Sequence, residues 1–215
     1  MIVKICGITN LEDALFCEQL GADMLGFVFY NKSKRFISFD SAKKIIEGLS
    51  PKTKKVGVFV NEPVEIVNLY AEKLKLNTVQ LHGDETPEYA FQINHPVIKS
   101  FRITGNFDFS TLEQYKNTMP LLDAFSNIQY GGTGKKFNWE VIPDRLKRQI
   151  ILAGGISAKN IKFIQDNIKP YAVDLSSSLE SEPGKKDHEK VTDFFSKIDR
   201  AQISTNKIKF KYGNK

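Results

Sequence analysis

Short apolar segments alternate with helical segments eight times along this chain, at intervals of about 25 residues. Most of the apolar segments are continuous, which is typical of parallel strands buried on both faces. The strands predicted in this way are Ile2–Cys6, Met24–Phe29, Lys55–Val60, Thr78–Leu81, Val97–Phe101, Pro120–Asp123, Ile150–Ala153 and Ala172–Leu175. The pattern therefore predicts an α/β fold, a single (β/α)8 TIM barrel.

The helical segments carry start and stop signals. Asn10 is a predicted N-cap and Gly21 a predicted C-terminal residue of the first helix, while Pro63 and Pro87 fit first-turn positions. The predicted helices are Leu11–Leu20, Ser41–Glu47, Val64–Leu74, Pro87–Gln92, Leu112–Tyr115, Trp139–Leu146, Ala158–Asn167 and Asp187–Ile198. Eight strand–helix pairs result, with the fourth and fifth helices the weakest in pattern.

The chain of 215 residues is long enough for one such barrel, predicted over residues 1–200. Residues 201–215 hold four lysines and no acid, and so supply most of the net charge of +6. A basic tail can contact nucleic acid or a membrane surface. A solvated, irregular extension is the interpretation favoured here, because the tail is short and no motif accompanies it.

Composition also limits the class of protein. No apolar run approaches the roughly 20 residues that a membrane span needs, and the N-terminus lacks signal-peptide features, so a cytoplasmic protein is expected. Cys6 and Cys17 are the two cysteines, and the three histidines are scattered, so neither a metal site nor a disulfide is expected. We expect no nucleic-acid or membrane partner, and a monomer in preference to a homodimer.

Several polar residues lie at or just after the predicted ends of strands. Cys6 ends the first strand and Asp123 the sixth. In a barrel, the C-terminal ends of all strands meet on one rim, where active sites form. The pair Gly154–Gly155 follows the seventh strand and Ser176–Ser178 follows the eighth. Loops at these two places form the recurrent phosphate site of the fold, with backbone N–H groups and a helix N-terminus facing the anion.

Each of these residues also has a structural interpretation. A free cysteine is typically a small buried hydrophobe, a strand-end Asp often caps a loop, and a glycine pair is often only a turn. Arg35 is either a solvated loop charge or a bidentate binder of a carboxylate. His82, after the fourth strand, is either a ligand on the rim or a core group, and a supporting role is favoured.

Taken together, eleven segments in order resemble the phosphoribosylanthranilate isomerase family, over about residues 2–198. They are Lys4–Thr9, Gly26–Phe29, Ser33–Ser38, Val56–Asn61, Val79–Glu85, Leu122–Asp123, Gly131–Lys135, Leu152–Ile156, Asp174–Ser177, Leu179–Ser181 and Pro183–Gly184. Any one segment is modest evidence, whereas the ordered set is highly specific.

The resemblance implies a (β/α)8 barrel that needs no cofactor and a small phosphorylated substrate. The implied reaction is an Amadori rearrangement of N-(5-phosphoribosyl)anthranilate, the third step from chorismate to tryptophan. By this resemblance Cys6 matches the general base, Asp123 the general acid and Arg35 the binder of the anthranilate carboxylate. The implied phosphate loops contain Gly154, Gly155, Ser177 and Ser178.

The chain departs from the family pattern at three places. Ser178 stands where the family usually has Gly. Serine restricts φ at this position and adds a hydroxyl group. Lys136 and Asn138 replace Thr and Asp before Trp139, with little change expected because Asn can still cap a helix. The tail beyond about residue 200 has no family counterpart.

Three other functions stay open at this point. A pentose-phosphate epimerase shares the phosphate loops, but such enzymes typically pair Asp residues, often with a metal. A non-catalytic protein that binds a phosphorylated ligand would have no need of Cys6 and Asp123 together. A nucleic-acid-binding protein that uses the tail would bind in a salt-dependent way and lose binding without residues 201–215.

Overall fold

Eight parallel strands form a closed barrel in the computed structural model, which describes residues 1–104, 106–123 and 139–199. The strands pair in the order β1-β2-β3-β4-β5-β6-β7-β8, and β8 pairs with β1. Their bounds are β1 Ile2–Cys6, β2 Met24–Val28, β3 Lys54–Phe59, β4 Thr78–Leu81, β5 Val97–Arg102, β6 Thr118–Asp123, β7 Ile151–Ala153 and β8 Ala172–Leu175. The predicted (β/α)8 fold class is confirmed.

Helices cover the outside of the barrel. The α-helices are α1 Leu11–Leu20, α2 Phe39–Glu47, α3 Val64–Lys73, α4 Pro87–Phe91, α5 Asp144–Lys147, α6 Ile161–Phe163 and α7 His188–Ser196. A 3₁₀ helix, Trp139–Val141, precedes α5, and a π-helix, Ile164–Ile168, continues α6. The helices predicted at Trp139–Leu146 and Ala158–Asn167 are therefore each divided into two shorter elements.

The fifth predicted helix, Leu112–Tyr115, is instead a 3₁₀ helix over Phe109–Gln114. The Asp108 side chain caps it by accepting a hydrogen bond from the Ser110 N–H. Its two apolar residues, Phe109 and Leu112, are three positions apart and so share one face of a 3₁₀ helix. The eighth predicted helix, Asp187–Ile198, corresponds closely to α7.

Capping residues act largely as predicted. The Asn10 side chain accepts a hydrogen bond from the Asp13 N–H, and Gly21 ends α1 at a φ of 98°, where glycine is favoured. Pro87 is the first residue of α4. Pro63 differs from the prediction, since it precedes the first turn of α3 as the capping residue and makes no side-chain cap.

The inside of the barrel is layered, because alternate residues of each strand point inward. Most of it is an apolar cluster made of Met24, Val56, Ile98, Met119, Leu121, Ile151, Ala153 and Ala172. Nearest the C-terminal ends of the strands lies a small cluster of Cys6, Val28 and Val58. Outward-facing residues such as Val3, Ile5 and Phe27 pack in the core shared with the helices.

An antiparallel hairpin that the sequence did not predict lies between β8 and α7. Its strands are β9 Glu180–Glu182 and β10 Lys185–Lys186. Gly184 makes the turn at a φ of 90°, and its carbonyl accepts a hydrogen bond from the Thr9 hydroxyl. The hairpin therefore joins the end of the barrel to the loop that follows β1.

Some predictions lie outside the described residues. These are the segment Gly131–Lys135, the departures at Lys136 and Asn138, and the basic tail 201–215, so the domain boundary at residue 200 stays a prediction. Within the described ranges, no helix has the length and apolar character that a membrane crossing needs.

Asp13 fastens α1 to the C-terminal part of the chain. Its Oδ2 accepts a hydrogen bond from the Lys186 N–H at 2.7 Å, and its Oδ1 lies 2.9 Å from His188 Nε2. Asp13→Ala should lower the free energy of unfolding by about 1–3 kcal/mol, because it leaves a buried N–H without an acceptor. Urea denaturation measures the change. Glu12→Ala, at the exposed neighbouring position, should change stability by less than about 0.5 kcal/mol, and equal effects would contradict the assignment.

Candidate functional site

A cavity of about 460 Å³ opens at the C-terminal ends of the barrel strands. The structure brings all eight predicted site residues to its lining, although they come from six separate segments of the chain. These residues are Cys6, Arg35, His82, Asp123, Gly154, Gly155, Ser177 and Ser178. Their placement agrees with one shared site, while the role of each residue stays a prediction.

Cys6 is the last residue of β1, and its side chain points into the barrel at the floor of the cavity. It is 9% exposed and packs with Val28 and Val58. Gly26 on β2 lies beside it, and a Cβ atom there would come within 2.8 Å of Cys6 Sγ. The absence of a side chain at Gly26 therefore leaves the space that the thiol occupies.

A buried ion pair lies next to this thiol. Lys4, two residues before Cys6 on the same strand, faces inward and is fully buried. Its Nζ donates to Asp174 Oδ2 at 2.8 Å, across the β1–β8 pairing. Although burial opposes it, Asp174 raises the pKa of Lys4 above its ordinary value, so Lys4 is a cation. Asp174 is also a lining residue of the cavity, but its other carboxylate oxygen, Oδ1, is buried, and no donor among the described residues reaches it.

The pKa of the Cys6 thiol is raised above its ordinary value of 9.0, mainly by burial. Lys4 and Lys186 act in the opposite direction by attracting a thiolate, while Asp174 repels it. At neutral pH the thiol is therefore the main form in the ligand-free site. The structure also identifies Lys4 and Lys186 as the cations that favour the thiolate, which the sequence left unnamed.

Asp123 ends β6 at the rim. Burial raises the pKa of its carboxyl group above the ordinary value of 3.8, and the nearby charge of Asp174 raises it further. Arg102, its partner in the β5–β6 pairing, opposes this shift. The Asp123 carboxyl group therefore keeps its proton to a higher pH than an ordinary aspartic acid does.

His82 lies on the rim and is held by polar neighbours. Its Nδ1 is 2.8 Å from the Ser100 hydroxyl oxygen and 3.1 Å from Gln80 Nε2. Burial, followed by the positive charge of Lys4, lowers the pKa of the imidazole. His82 is therefore neutral at pH 7 and lines the cavity as a hydrogen-bonding group.

Arg35 lies on the loop after β2 and lines the cavity. It is bound through its Nε and Nη2 atoms to the carboxylate of Glu180, the first residue of β9. This contact contradicts the interpretation of Arg35 as a fully solvated loop charge. The carboxylate that Arg35 binds in this structure belongs to the protein itself, and this pair was not predicted from the sequence.

The two predicted phosphate loops lie on either side of the β7–β8 edge of the cavity. Gly154 and Gly155 adopt φ values of 83° and 68°, which glycine tolerates best. A Cβ at Gly155 would meet no atom within 4 Å, so the backbone there faces open space. Asn160 Nδ2 donates to the Gly155 carbonyl at 2.8 Å and fixes the loop.

One part of the phosphate prediction needs correction. The helix after Gly155 was expected from Ala158, but the α-helical turn begins at Ile161 and has three residues. The π-helix Ile164–Ile168 continues this turn, so the helix starts three residues later than expected and its first residue is further along the chain from Gly155. Ser177 and Ser178 also line the cavity. In the part of the chain that the structure describes, no group of three or more His, Cys, Asp or Glu side chains could hold a metal ion.

Four charged residues of the site were not predicted from the sequence. They form ion pairs around Cys6 and Arg35: Lys4 with Asp174, and Glu180 with both Arg35 and Lys186. Lys4 carried a signal, because a lysine inside an otherwise apolar strand needs a buried partner. Glu180 lies in the segment Leu179–Ser181 that resembles the family, but no role was predicted for it. Lys186 carried no signal, because it belongs to the hairpin that sequence patterns did not reveal.

Comparison with known proteins shows to which family the chain belongs. The family profile described as N-(5'phosphoribosyl)anthranilate (PRA) isomerase matches residues 3–197. The N-(5'-phosphoribosyl)anthranilate isomerase of Trichlorobacter lovleyi is 48% identical over 194 residues, which are 89% of this chain and 95% of that protein.

Solved structures give the same result. The phosphoribosyl anthranilate isomerase of Thermotoga maritima has a TM-score of 0.84 and 43% identity, covering 92% of this chain and 98% of that one. A phosphoribosyl anthranilate isomerase in complex with reduced 1-(o-carboxyphenylamino)-1-deoxyribulose 5-phosphate has a TM-score of 0.81 and 40% identity, with the same coverage. With the barrel and the cavity as described, these matches show that the chain belongs to the N-(5'-phosphoribosyl)anthranilate isomerase family.

Proposed function

We propose that this chain isomerises N-(5-phosphoribosyl)anthranilate to 1-(2-carboxyphenylamino)-1-deoxyribulose 5-phosphate. The observation that carries the proposal is that a thiol and a carboxyl group, Cys6 and Asp123, line one cavity with an arginine and a glycine-rich loop. The substrate has matching parts, since it carries a benzoate at one end, a phosphate at the other and a ribose between them. The family membership and the relative bound to a reduced product analogue support the same reaction.

In the proposed first step, Asp123 acts as a general acid. It gives a proton to the ribose ring oxygen, the bond between this oxygen and C1′ breaks, and a Schiff base forms at C1′. An acid can do this only while it holds its proton. The raised pKa of Asp123, caused mainly by burial and then by Asp174, enlarges its protonated fraction near neutral pH.

In the second step, Cys6 acts as a general base. Its thiolate removes the proton from C2′, whose acidity is increased by the adjacent protonated imine, and an enolamine forms. Protonation at C1′ and loss of the C2′ hydroxyl proton then give the ketone. Lys4 and Lys186 support the thiolate by attracting its negative charge.

Binding at the two ends completes the proposal. Arg35 would bind the anthranilate carboxylate, and the backbone N–H groups of Gly154 and Gly155 with Ser177 and Ser178 would bind the phosphate. His82, neutral and held by Ser100, would support the sugar by hydrogen bonding. Neither step calls for a cofactor.

A cytoplasmic location, a monomeric state and the absence of a nucleic-acid partner stay predictions. Light scattering of the purified chain tests the monomeric state.

Loss of anthranilate fluorescence from freshly made substrate measures the reaction. Cys6→Ser should lower turnover by at least about 10²-fold, because a hydroxyl is a much weaker base than a thiolate. Binding of the reduced product analogue should be retained. Cys17→Ala is the matched control, since Cys17 is buried in α1 away from the cavity. A Cys6→Ser enzyme with more than about a tenth of the normal turnover would exclude Cys6 as the base.

The pH dependence of kcat/KM should distinguish the acid from the base. In the native enzyme the pKa of Asp123 lies below that of Cys6, which is above 9.0. The active form, with protonated Asp123 and thiolate, is then a constant minor fraction between the two pKa values, so kcat/KM is flat there. The fall of kcat/KM on the alkaline side, where Cys6 titrates, should lie above pH 9.0.

Asp123→Asn should remove this flat region and greatly lower the rate. The remaining activity should rise about tenfold per pH unit below the pKa of Cys6, because only formation of the thiolate is then titrated. Steady-state kinetics from pH 6 to pH 9, each pH in about the same ionic strength, would measure the slope. An Asn variant with the native rate and the native flat profile would assign the acid elsewhere.

Substitution of Gly155 tests the phosphate loop through charge. Gly155→Asp would place a carboxylate beside the phosphate dianion and should raise KM at least about tenfold. Gly155→Asn has the same size and tolerates a φ of 68° equally well, so it isolates the effect of the charge. KM values that are equal in the two variants would contradict a phosphate at this loop.

A further inference from the structure

The guanidinium group of Arg35 is bound by Glu180 along one of its edges. Arg35 Nε lies 2.8 Å from Glu180 Oε1 and 3.0 Å from Oε2, and Arg35 Nη2 lies 2.5 Å from Oε2. The two residues are 145 positions apart, on the β2 loop and on β9. This two-point contact fixes the plane of the guanidinium group as well as its position.

Arg35 still has donors available for a ligand. A guanidinium group has five N–H bonds, and the Nε–Nη2 edge uses two of them. The remaining edge, formed by Nη1 and Nη2, makes no hydrogen bond with any residue in ranges 1–104, 106–123 and 139–199. Since Arg35 lines the cavity, a second carboxylate can bind along this edge while Glu180 remains in place.

Glu180 is itself held by a buried lysine. Lys186 on β10 is buried, and its Nζ donates to Glu180 Oε1 at 2.8 Å and to the Cys6 carbonyl oxygen at 2.7 Å. Although burial opposes it, the hydrogen bonds from Arg35 and Lys186 lower the pKa of Glu180, so the carboxylate is charged. One continuous set of contacts therefore joins Arg35 to the main chain of Cys6.

The stem of Arg35 is confined as well. A Cβ atom at Gly7 would lie 2.6 Å from Arg35 Cδ, so the side chain runs directly over the glycine that follows Cys6. Gly7 has a φ of 79° and keeps this space open. Gly7 thus leaves space for the aliphatic part of Arg35, and Glu180 binds its guanidinium group. Lys186 in turn holds Glu180.

We propose that Glu180, held by Lys186, is a positioning residue that directs the free edge of Arg35 toward the carboxylate of the substrate and so sets the preference for a carboxylate-bearing aryl group. The inference rests on the proposed function, because it takes Arg35 as the binder of that carboxylate. Arg35, Glu180 and Lys186 together carry one net positive charge, so Glu180 orients the cation without cancelling the attraction for an anion.

A purely structural role for this hairpin predicts something different. Removal of one member of a buried ion pair destabilises a protein because the other charge is left unpaired. Such a loss of stability would weaken the binding of every ligand to the same extent. A positioning role weakens mainly those ligands that carry the carboxylate.

The test compares two probes in binding titrations with the purified full chain. One is reduced 1-(o-carboxyphenylamino)-1-deoxyribulose 5-phosphate, and the other is the same molecule without the carboxylate. The native protein should prefer the first by about 10- to 150-fold, the contribution of a charge-assisted pair. Glu180→Gln combined with Lys186→Met removes both buried charges together, so that the partly exposed Arg35 is the one charge of the set that loses its counter-ion. This variant should reduce the preference to a few-fold or less.

Two further variants separate positioning from stability. Glu85→Gln with Lys99→Met removes another buried ion pair, also 2.8 Å long, from outside the cavity lining, and should leave the preference unchanged. Arg35→Met should abolish the preference, and adding the Glu180 and Lys186 substitutions to it should change the preference no further. That non-additivity is the signature of residues that act through Arg35.

The outcomes are distinct. A Glu180→Gln/Lys186→Met protein that retains the native preference would overturn the inference, and so would an equal loss of affinity for both probes. A native protein that isomerises the substrate but shows no preference between probes would also overturn it and leave the proposed function intact. A native protein that shows the preference, loses it in the variant and does not isomerise the substrate would support the inference and contradict the proposed function.

Discussion

Closure of the barrel between β1 and β8 is the constraint on which the site depends. Lys4 pairs with Asp174 in the register of these two strands, and their side chains form a buried ion pair at 2.8 Å. The same pairing brings the end of β1, with Cys6, beside the loop that carries Ser177 and Ser178. Residues from the two ends of the chain thereby line one cavity, and without this closure neither the thiol nor the phosphate loop would have its neighbours.

Burial, together with the charges under the cavity, sets the protonation of the two proposed catalytic groups. Asp174 raises the pKa of both Cys6 and Asp123, while Lys4 lowers that of Cys6. The carboxyl group thus keeps its proton more readily, and the thiolate is supported by a cation within a site that otherwise disfavours it. Burial is the larger cause of both shifts, so binding of substrate over the rim would strengthen each of these interactions.

Much of the fold and of the site could be predicted from local patterns. Continuous apolar segments identified the eight strands, and their ends placed Cys6 and Asp123 on one rim. The contacts that hold the site together could not be predicted in this way. The Arg35–Glu180 pair joins residues 145 positions apart, and Glu180 lies in a hairpin whose three- and two-residue strands are too short for a periodic signal. The 3₁₀ helix at Phe109–Gln114 was missed because a short segment with i, i+3 apolar spacing fits both helix types.

A crystal structure of the chain with the reduced product analogue would test the central claim most directly, since one ligand would report every proposed contact. The account predicts the phosphate at Gly154, Gly155 and the Ser177–Ser178 loop, and the carboxylate on the free edge of Arg35. The carbon that corresponds to C2′ should lie within about 3–3.5 Å of Cys6 Sγ, the range for a near-attack geometry. A phosphate bound elsewhere on the rim, with the sugar away from Cys6 and Asp123, would contradict the assignment of the site.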